Sequence, residues 1–438
     1  LDLSQFESQL ISSAFYISYT VGSLMYFGIS SILKRDILNV IGYRNGLSLG
    51  LIISALGTLL FVPASNNESF LLLISGLFIV GLGFSLQQIA ANPLAIQMGD
   101  PSKGNMRLSL AGGINNVGTT IGPVIVSFAI FGGLSSGETE LNLQAVQTPY
   151  LFLGAAFVIA AVFFKFSSVP DRLNEKTESN SGNILATLKY PQVVLGMIAI
   201  FLYVGVEVST ASNLPEFMKQ ELGTAESGVA PFVSLFWASL MIGRWTSAAG
   251  AFNISSKLKS LLGFILPFVA FGIFLFVNWI AGNEMQQFFP YIGLVVLLII
   301  ADKLSKGNPV NQIMIYSAVG ALAMIIGIFS SGIISVFAFI SVGLFCSTLW
   351  PCIFTLGIAG LKDKTNTASS LLIMMIMGGG FISTLQGALA NNNLLGIQHS
   401  YWVGVACFAY LFFFAFTVNK KLKKQGVNLL SSSDELAH

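Results

Sequence analysis

The 438-residue chain is 54% hydrophobic, 12% aromatic and only 9% charged, with a formal net charge of +2. A soluble domain carries about 25% charged residues, so this composition excludes an ordinary soluble enzyme, and its near-neutral balance offers no basic stripe to a nucleic acid. The chain reads as an all-α polytopic membrane protein.

Crossing roughly 30 Å of hydrocarbon takes about 20 mostly apolar residues in a helix. In chain order such runs occupy 9–33, 46–63, 69–98, 106–131 and 149–168, then 191–214, 229–252, 261–281, 288–304, 312–332, 335–360, 367–390 and 400–419. The run at 288–304 is short and opens with Pro290. Between the fifth and sixth runs lies the polar stretch VPDRLNEKTESNSGNILATLKY, 169–190, which reads as a linker between two bundles. The expected organisation is an N-terminal bundle (1–168), the linker (169–190), a C-terminal bundle (191–419) and a tail (420–438).

Basic residues test this map, because cytoplasmic loops are enriched in Lys and Arg. With residues 1–8 outside and spans alternating, twenty of the 21 Lys and Arg fall inside, Lys219 being the exception. Glu68, Glu138, Glu140, Glu216, Glu221, Glu226 and Glu284 mark the outer loops. Removing the run at 288–304 would turn the KKLKK tail outward, so that run is kept. A cytoplasmic C-terminus in a bacterial inner membrane is expected.

Glu207, in YVGVEVSTASN, is the carboxylate that falls clearly inside a span. It lies eight residues before Pro215, about 12 Å along a helix. An ionised side chain at that depth costs at least about 2.5 kcal/mol on insertion scales, so either a neighbouring helix satisfies it or it serves as a ligand or proton carrier. Tyr203 at i−4 and Thr210 at i+3 share its face, with Ser209, Ser212 and Asn213 farther out. A second polar cluster is SLQQIAANPLAIQMGD, where Gln88 and Asn92 are four residues apart, Gln87 flanks them and Pro93 interrupts the helical bonding. A third is RLSLAGGINNVGTTIGP, with Asn115 and Asn116 amid Gly112, Gly113, Gly118 and Gly122; the last two form a GxxxG packing pattern. Neutral amides both donate and accept, as sugar hydroxyls require, although interhelical bonding also explains them. Trp237, Trp350 and Gln386 lie inside spans, where stacking on a sugar competes with plain packing.

No metal-ligand spacing joins Cys346, Cys352 and Cys407, which fall in apolar runs and show no disulfide pattern. The glycine-rich stretches are embedded in spans rather than placed after a strand, which argues against phosphate binding. No nucleophile motif is present, and no cofactor is expected.

At this point the residues resemble a known family. SQFESQLISSAFYISYTVGSL, QQIAANPLAIQMGDPSKGNMRLSLAGGINNVG and YVGVEVSTASNLPEFM are similar to the fucose/glucose–galactose permease branch of the major facilitator superfamily, over most of the chain. The resemblance implies twelve helices in two halves with the sugar site between them. It also implies that the family's first helix lies ahead of Leu1, and that the hairpin at 261–304 is inserted before the ninth. Gly28, Lys34, Arg35, Gly42, Arg44 and Gly46 resemble the superfamily's gating motif, with extra residues around 36–40. Gly243 and Arg244 look like its counterpart in the second half. Arg107 joins the expected gating set. Gln88 stands where the fucose branch has an embedded glutamate, Asn115 matches a sugar-contacting asparagine, and Glu207 resembles the glutamate of glucose/galactose-type members.

The expectation is a monomeric secondary transporter importing a neutral monosaccharide (glucose, galactose or fucose) by proton symport. Glu207 is the coupling acid, and Gln87, Gln88, Asn92, Asn115, Asn116, Tyr203, Asn213, Trp237, Trp350 and Gln386 are the binding shell. Sodium coupling, a drug or metabolite exporter of the same fold and a non-transporting membrane receptor are the alternatives.

Overall fold

The computed structural model describes residues 5–33, 37–99, 103–131, 147–171, 184–224, 226–252, 254–361, 364–391 and 393–427. Arg35, most of the expected linker and most of the expected tail lie outside these. The chain begins with α1 (Gln5–Leu33), a short α2 (Ile37–Ile41), and α3 (Tyr43–Leu59) continued by α4 (Phe61–Asn66). Next come α5 (Phe70–Gln97), α6 (Gly104–Phe131) and α7 (Gln147–Phe166). A short α8 (Ile184–Thr187) precedes α9 (Pro191–Leu222), α10 (Glu226–Ala248) and α11 (Ser256–Ile280). A 3-10 turn leads into α12 (Ile292–Ser305), followed by α13 (Pro309–Phe329). The last spans are broken into pairs: α14 (Gly332–Cys346) with α15 (Leu349–Ile358), α16 (Thr365–Met374) with α17 (Gly378–Leu389), then α18 (Gly396–His399) and α19 (Trp402–Lys424). The described residues contain helices and no strands.

Ten of these segments are long and apolar enough to cross a membrane. The expected runs at 9–33, 106–131 and 229–252 correspond to α1, α6 and α10, of 29, 28 and 23 residues. Bilayer length sets these elements, and local chemistry sets their ends. Asn308 accepts from the Val310 and Asn311 amides at 2.8 and 3.2 Å, with Pro309 in the first turn, a strong helix start. The reading that stops at 214 is too short. Helix α9 continues through Pro215 to Leu222, where Gly223 turns left-handed (φ 64°) and its amide caps the Lys219 carbonyl at 3.1 Å. Apolarity ends before the hydrogen-bond ladder does, and a left-handed glycine is what stops it.

The helices form two packed groups. In the first, α3 lies between α5 and α7, and α1 packs on α5. A Cβ at Gly83 would lie 2.4 Å from the Gly50 carbonyl oxygen, so α3 and α5 touch backbone to backbone, the usual role of small residues in membranes. In the second, α9 is surrounded by α14, α15, α17 and α19, and α13 packs on α14 and α19. Its core is aromatic: Phe217, Phe339 and Tyr401 are fully buried, the last two stacked at 3.8 Å. Helix α11 packs on α10, and α12 contacts α10, α13 and α14, so this pair flanks the second group. Phe152, Phe163 and Phe166 of α7 are exposed. Such apolar faces are stable against lipid rather than water.

Helix ends near residues 33, 43, 97, 104, 166, 191, 248, 305, 358, 365 and 424 share one pole of the alternating arrangement. It carries most Lys and Arg and is called the basic end below.

Candidate functional site

Glu207 lies midway along α9, sixteen residues from Pro191 and fifteen from Leu222. It is half-buried and accepts a hydrogen bond from the Tyr203 hydroxyl one turn away. Tyr203 is itself buried, and its ring sits 6.2 Å from that of Trp350, which stacks on Phe354 at 5.9 Å. Across the seam, α1 brings Tyr16 within electrostatic range of Glu207. Tyr16 also lies against Gly379 of α17.

Arg244 of α10 is the cation within electrostatic range of Glu207. Its Nε donates to the Ser347 carbonyl at 2.9 Å within its own group. Its Nη1 donates to the Gly112 carbonyl at 3.2 Å and to Asn116 Oδ1, both on α6 of the other group. A Cβ at Gly112 would lie 2.8 Å from that nitrogen, and one at Gly113 would lie 2.7 Å from Trp245. The two glycines therefore admit the guanidinium and the indole to the seam. A charge in the membrane interior needs such partners.

The first group contributes a second polar patch. Gln88 donates to the Tyr19 hydroxyl at 3.4 Å and accepts from Asn92 at 3.3 Å. Tyr19 follows Tyr16 by three residues on α1, so the two phenols carry this patch toward Glu207. The other expected shell residues are engaged elsewhere or farther away. Gln87 turns to Ser54 of α3 at 3.0 Å. Gln386 is buried against Ser400 at 3.3 Å, and Asn213 donates back to the Ser209 carbonyl at 2.8 Å. Trp237 is half-buried with its ring edge-on to Phe236 at 5.5 Å. Asn115 is exposed, unlike its buried neighbour Asn116.

Among the expected gating residues, Arg44 ion-pairs with Asp171 and donates to the Ser167 carbonyl at 3.0 Å. The Tyr43 amide donates to the Asp171 carbonyl at 3.0 Å. Gly42 has φ 86° and no room for a Cβ beside Asp171. Arg107 instead caps the end of α5, donating to the Ala95 carbonyl at 2.9 Å and to the Ile96 carbonyl. Gly28 has open space around it. Tyr43 joins the groups at the basic end, donating to Asn366 at 2.7 Å, and Thr20 donates to the Met374 carbonyl at 3.2 Å. Among the described residues, a Cβ at Gly118 or Gly122 would meet nothing within 4 Å, so they show no partner for the expected GxxxG packing. The contacts named here across the seam thus run from mid-helix to the basic end.

Two sequence expectations need correction here. Glu207 is not alone as a carboxylate within the spans: Asp302 of α12 is half-buried and hydrogen-bonded to α13. Tyr16 and Tyr19 were absent from the expected shell. Their spacing on one face of α1 was the available signal.

Two groups of membrane-length helices, a mid-membrane carboxylate and a cation bridging the seam define a multi-pass membrane transporter. Residues 1–296 match the Major Facilitator Superfamily. The chain belongs to that family, whose members and curated relatives are transporters rather than enzymes. It is 28% identical over 418 residues to the glucose/galactose transporter of Brucella abortus biovar 1, covering 94% of this chain and 88% of that protein. It is 24% identical over 435 residues to the L-fucose-proton symporter of Escherichia coli K12, covering 94% and 85%. In fold it is similar to a crystal structure of the major facilitator FucP in the outward conformation, with a TM-score of 0.69 at 23% identity over 95% of this chain and 91% of that one.

Proposed function

We propose that the protein imports a neutral monosaccharide of the glucose, galactose or fucose type by proton symport, with alternating access between bundles 1–168 and 191–419. The observation that carries the reading is the Tyr203–Glu207–Arg244 cluster at mid-helix, set where the two groups meet. Sites of this kind form between helix groups that rock about a fixed centre. The names of the relatives support the substrate class.

The basic end is taken as cytoplasmic, in the bacterial inner membrane, with residues 1–8 outside. The seam is then closed toward the cytoplasm. Glu207 takes a proton from outside, and as a neutral acid it leaves Arg244 to Asn116 and Gly112. Sugar hydroxyls bond to Gln88, Asn92, Tyr16 and Tyr19 on one side and to the Glu207 cluster on the other, with Trp350 flanking. Exposed Asn115 completes the first-group side. When the seam reopens inward, loss of the proton restores a carboxylate that attracts Arg244, so the proton and the gate are linked by one cation. The test is uptake of labelled sugars into proteoliposomes with imposed pH or sodium gradients. Uptake driven by sodium and indifferent to pH would remove the proton from this scheme. Export of apolar compounds without sugar uptake would replace the substrate class.

A further inference from the structure

Asp302 has no part in the scheme above, and it lies on the flanking pair α11–α12. It sits in the last turn of α12, near the basic end. Its Oδ1 accepts from the Gln312 amide at 3.1 Å and from the Tyr316 hydroxyl at 3.4 Å, both on α13. Gln312 and Tyr316 are fully buried. Gln312 Nε2 also reaches Ser247 of α10 at 3.4 Å, and its Oε1 accepts from the Cys352 thiol of α15 at 3.2 Å. Across the seam, α15 packs on α6, whose Asn105 is buried and close enough to act on the same thiol. Its neighbour Met106 lies against Gly250 and Gly307, so the seam is tight here.

A single amide thus ties α12, α10 and α15 to the seam. It can do so in one orientation only, with its nitrogen toward Asp302 and its oxygen toward the thiol. A flipped amide would set two acceptor oxygens face to face. The carboxylate therefore decides which way Gln312 points.

We propose that Asp302 is a positioning residue for the seal at the basic end: acting through Gln312, it holds the Cys352 thiol toward Asn105 and favours the closed seam. This rests on the alternating-access reading but not on the identity of the sugar or ion. When the groups part at this end, the Asn105–Cys352 contact separates and the Asp302–Gln312 bond stays within one group. Weakening that bond shifts the population toward the opened seam.

Cys352 is fully buried, so its alkylation by a membrane-permeant maleimide reports opening. The measurement uses the full chain in proteoliposomes, with Cys346 and Cys407 replaced by alanine and with neither sugar nor gradient present. Asp302→Ala removes the acceptor and is expected to raise the alkylation rate about fivefold, whereas Asp302→Asn keeps an acceptor oxygen and stays within about twofold of the parent. Asn105→Ala lies outside the carboxylate–amide pair. It is expected to raise the rate as Asp302→Ala does, without lowering the melting temperature, and it decides the matter if Asp302→Ala fails to fold. A parental rate in Asp302→Ala or in Asn105→Ala overturns the proposal, as does an Asp302→Asn rate as high as that of Asp302→Ala. Because no readout involves sugar, a failure of the substrate assignment leaves this result standing.

Discussion

Arg244 of α10 donates across the seam to the side-chain oxygen of Asn116 on α6, so one guanidinium belongs to both helix groups. Its third arm, to the Ser347 carbonyl, fixes it to the group it comes from. Lysine presents a single ammonium and cannot hold these directions together. Hydrogen bonds to a charged group contribute about 1.5–3 kcal/mol each, so Arg244→Lys is expected to slow transport about 10- to 100-fold, read as initial uptake rate. Asn116→Ala is expected to do less, and the double variant to be no worse than Arg244→Lys alone. Additive losses would mean that the two residues act separately.

Glu207→Gln keeps an acceptor for Tyr203 and removes the charge that Arg244 faces. Exchange of labelled for unlabelled sugar across the membrane needs no net proton movement, so it is expected to persist within about threefold of the parent, a loss below ~1 kcal/mol. Accumulation against a gradient is expected to vanish. Accumulation at the parental level in Glu207→Gln would place the coupling acid elsewhere.

Gly112 and Gly118 stand six residues apart on α6 and predict opposite outcomes. A methyl group at Gly112 meets the Arg244 guanidinium at 2.8 Å, whereas one at Gly118 meets nothing within 4 Å. Overpacking costs about 1–3 kcal/mol. Gly112→Ala is therefore expected to lower the melting temperature and the uptake rate, while Gly118→Ala leaves both near the parental values. Equal effects at the two positions would contradict the seam geometry.

Arg44 and Asp171 are each about one-third exposed, at 31% and 37%, so solvent screens their attraction. Asp171→Asn is expected to cost only about 0.5–1 kcal/mol, with a smaller difference from the parent at high salt. Gly42→Ala is expected to cost more. It forces a side chain into a left-handed backbone (φ 86°) and against Asp171, and such strain adds about 1–3 kcal/mol. Thermal denaturation in detergent ranks the two, and a milder Gly42→Ala would refute the assignment.

Much of the fold could be read from the chain because a bilayer demands long apolar helices. The extra run at 288–304 was held in place by lysines alone, and it is α12 with its preceding turn. Helix ends were harder. Pro215 looked like a boundary, yet α9 runs on to Gly223, since proline removes one bond and leaves the rest of the ladder. Asp302 was passed over for a related reason. It stands at the end of the 288–304 run beside Lys303, and only the donors of α13, which follow it by ten residues and more, make it an interior group. Gln87 and Gln88 are adjacent in sequence and chemically alike, but 100° of helix rotation sends one to α3 and the other to α1.

The amino-acid sequence by itself determined that this protein lives in a membrane, that it is built from long apolar helices, and which mid-helix residues could carry charge or hydrogen bonds. Those properties follow from the local cost of exposing peptide groups and charges to hydrocarbon. Only the tertiary structure decided that Arg244 faces Asn116 as well as Glu207, that Tyr16 approaches the carboxylate while Tyr19 meets Gln88, and that Gln312 donates to Asp302. Each depends on which helix packs beside which, and at what rotation. Residues more than a hundred positions apart become partners only when small side chains such as Gly112 let their helices close.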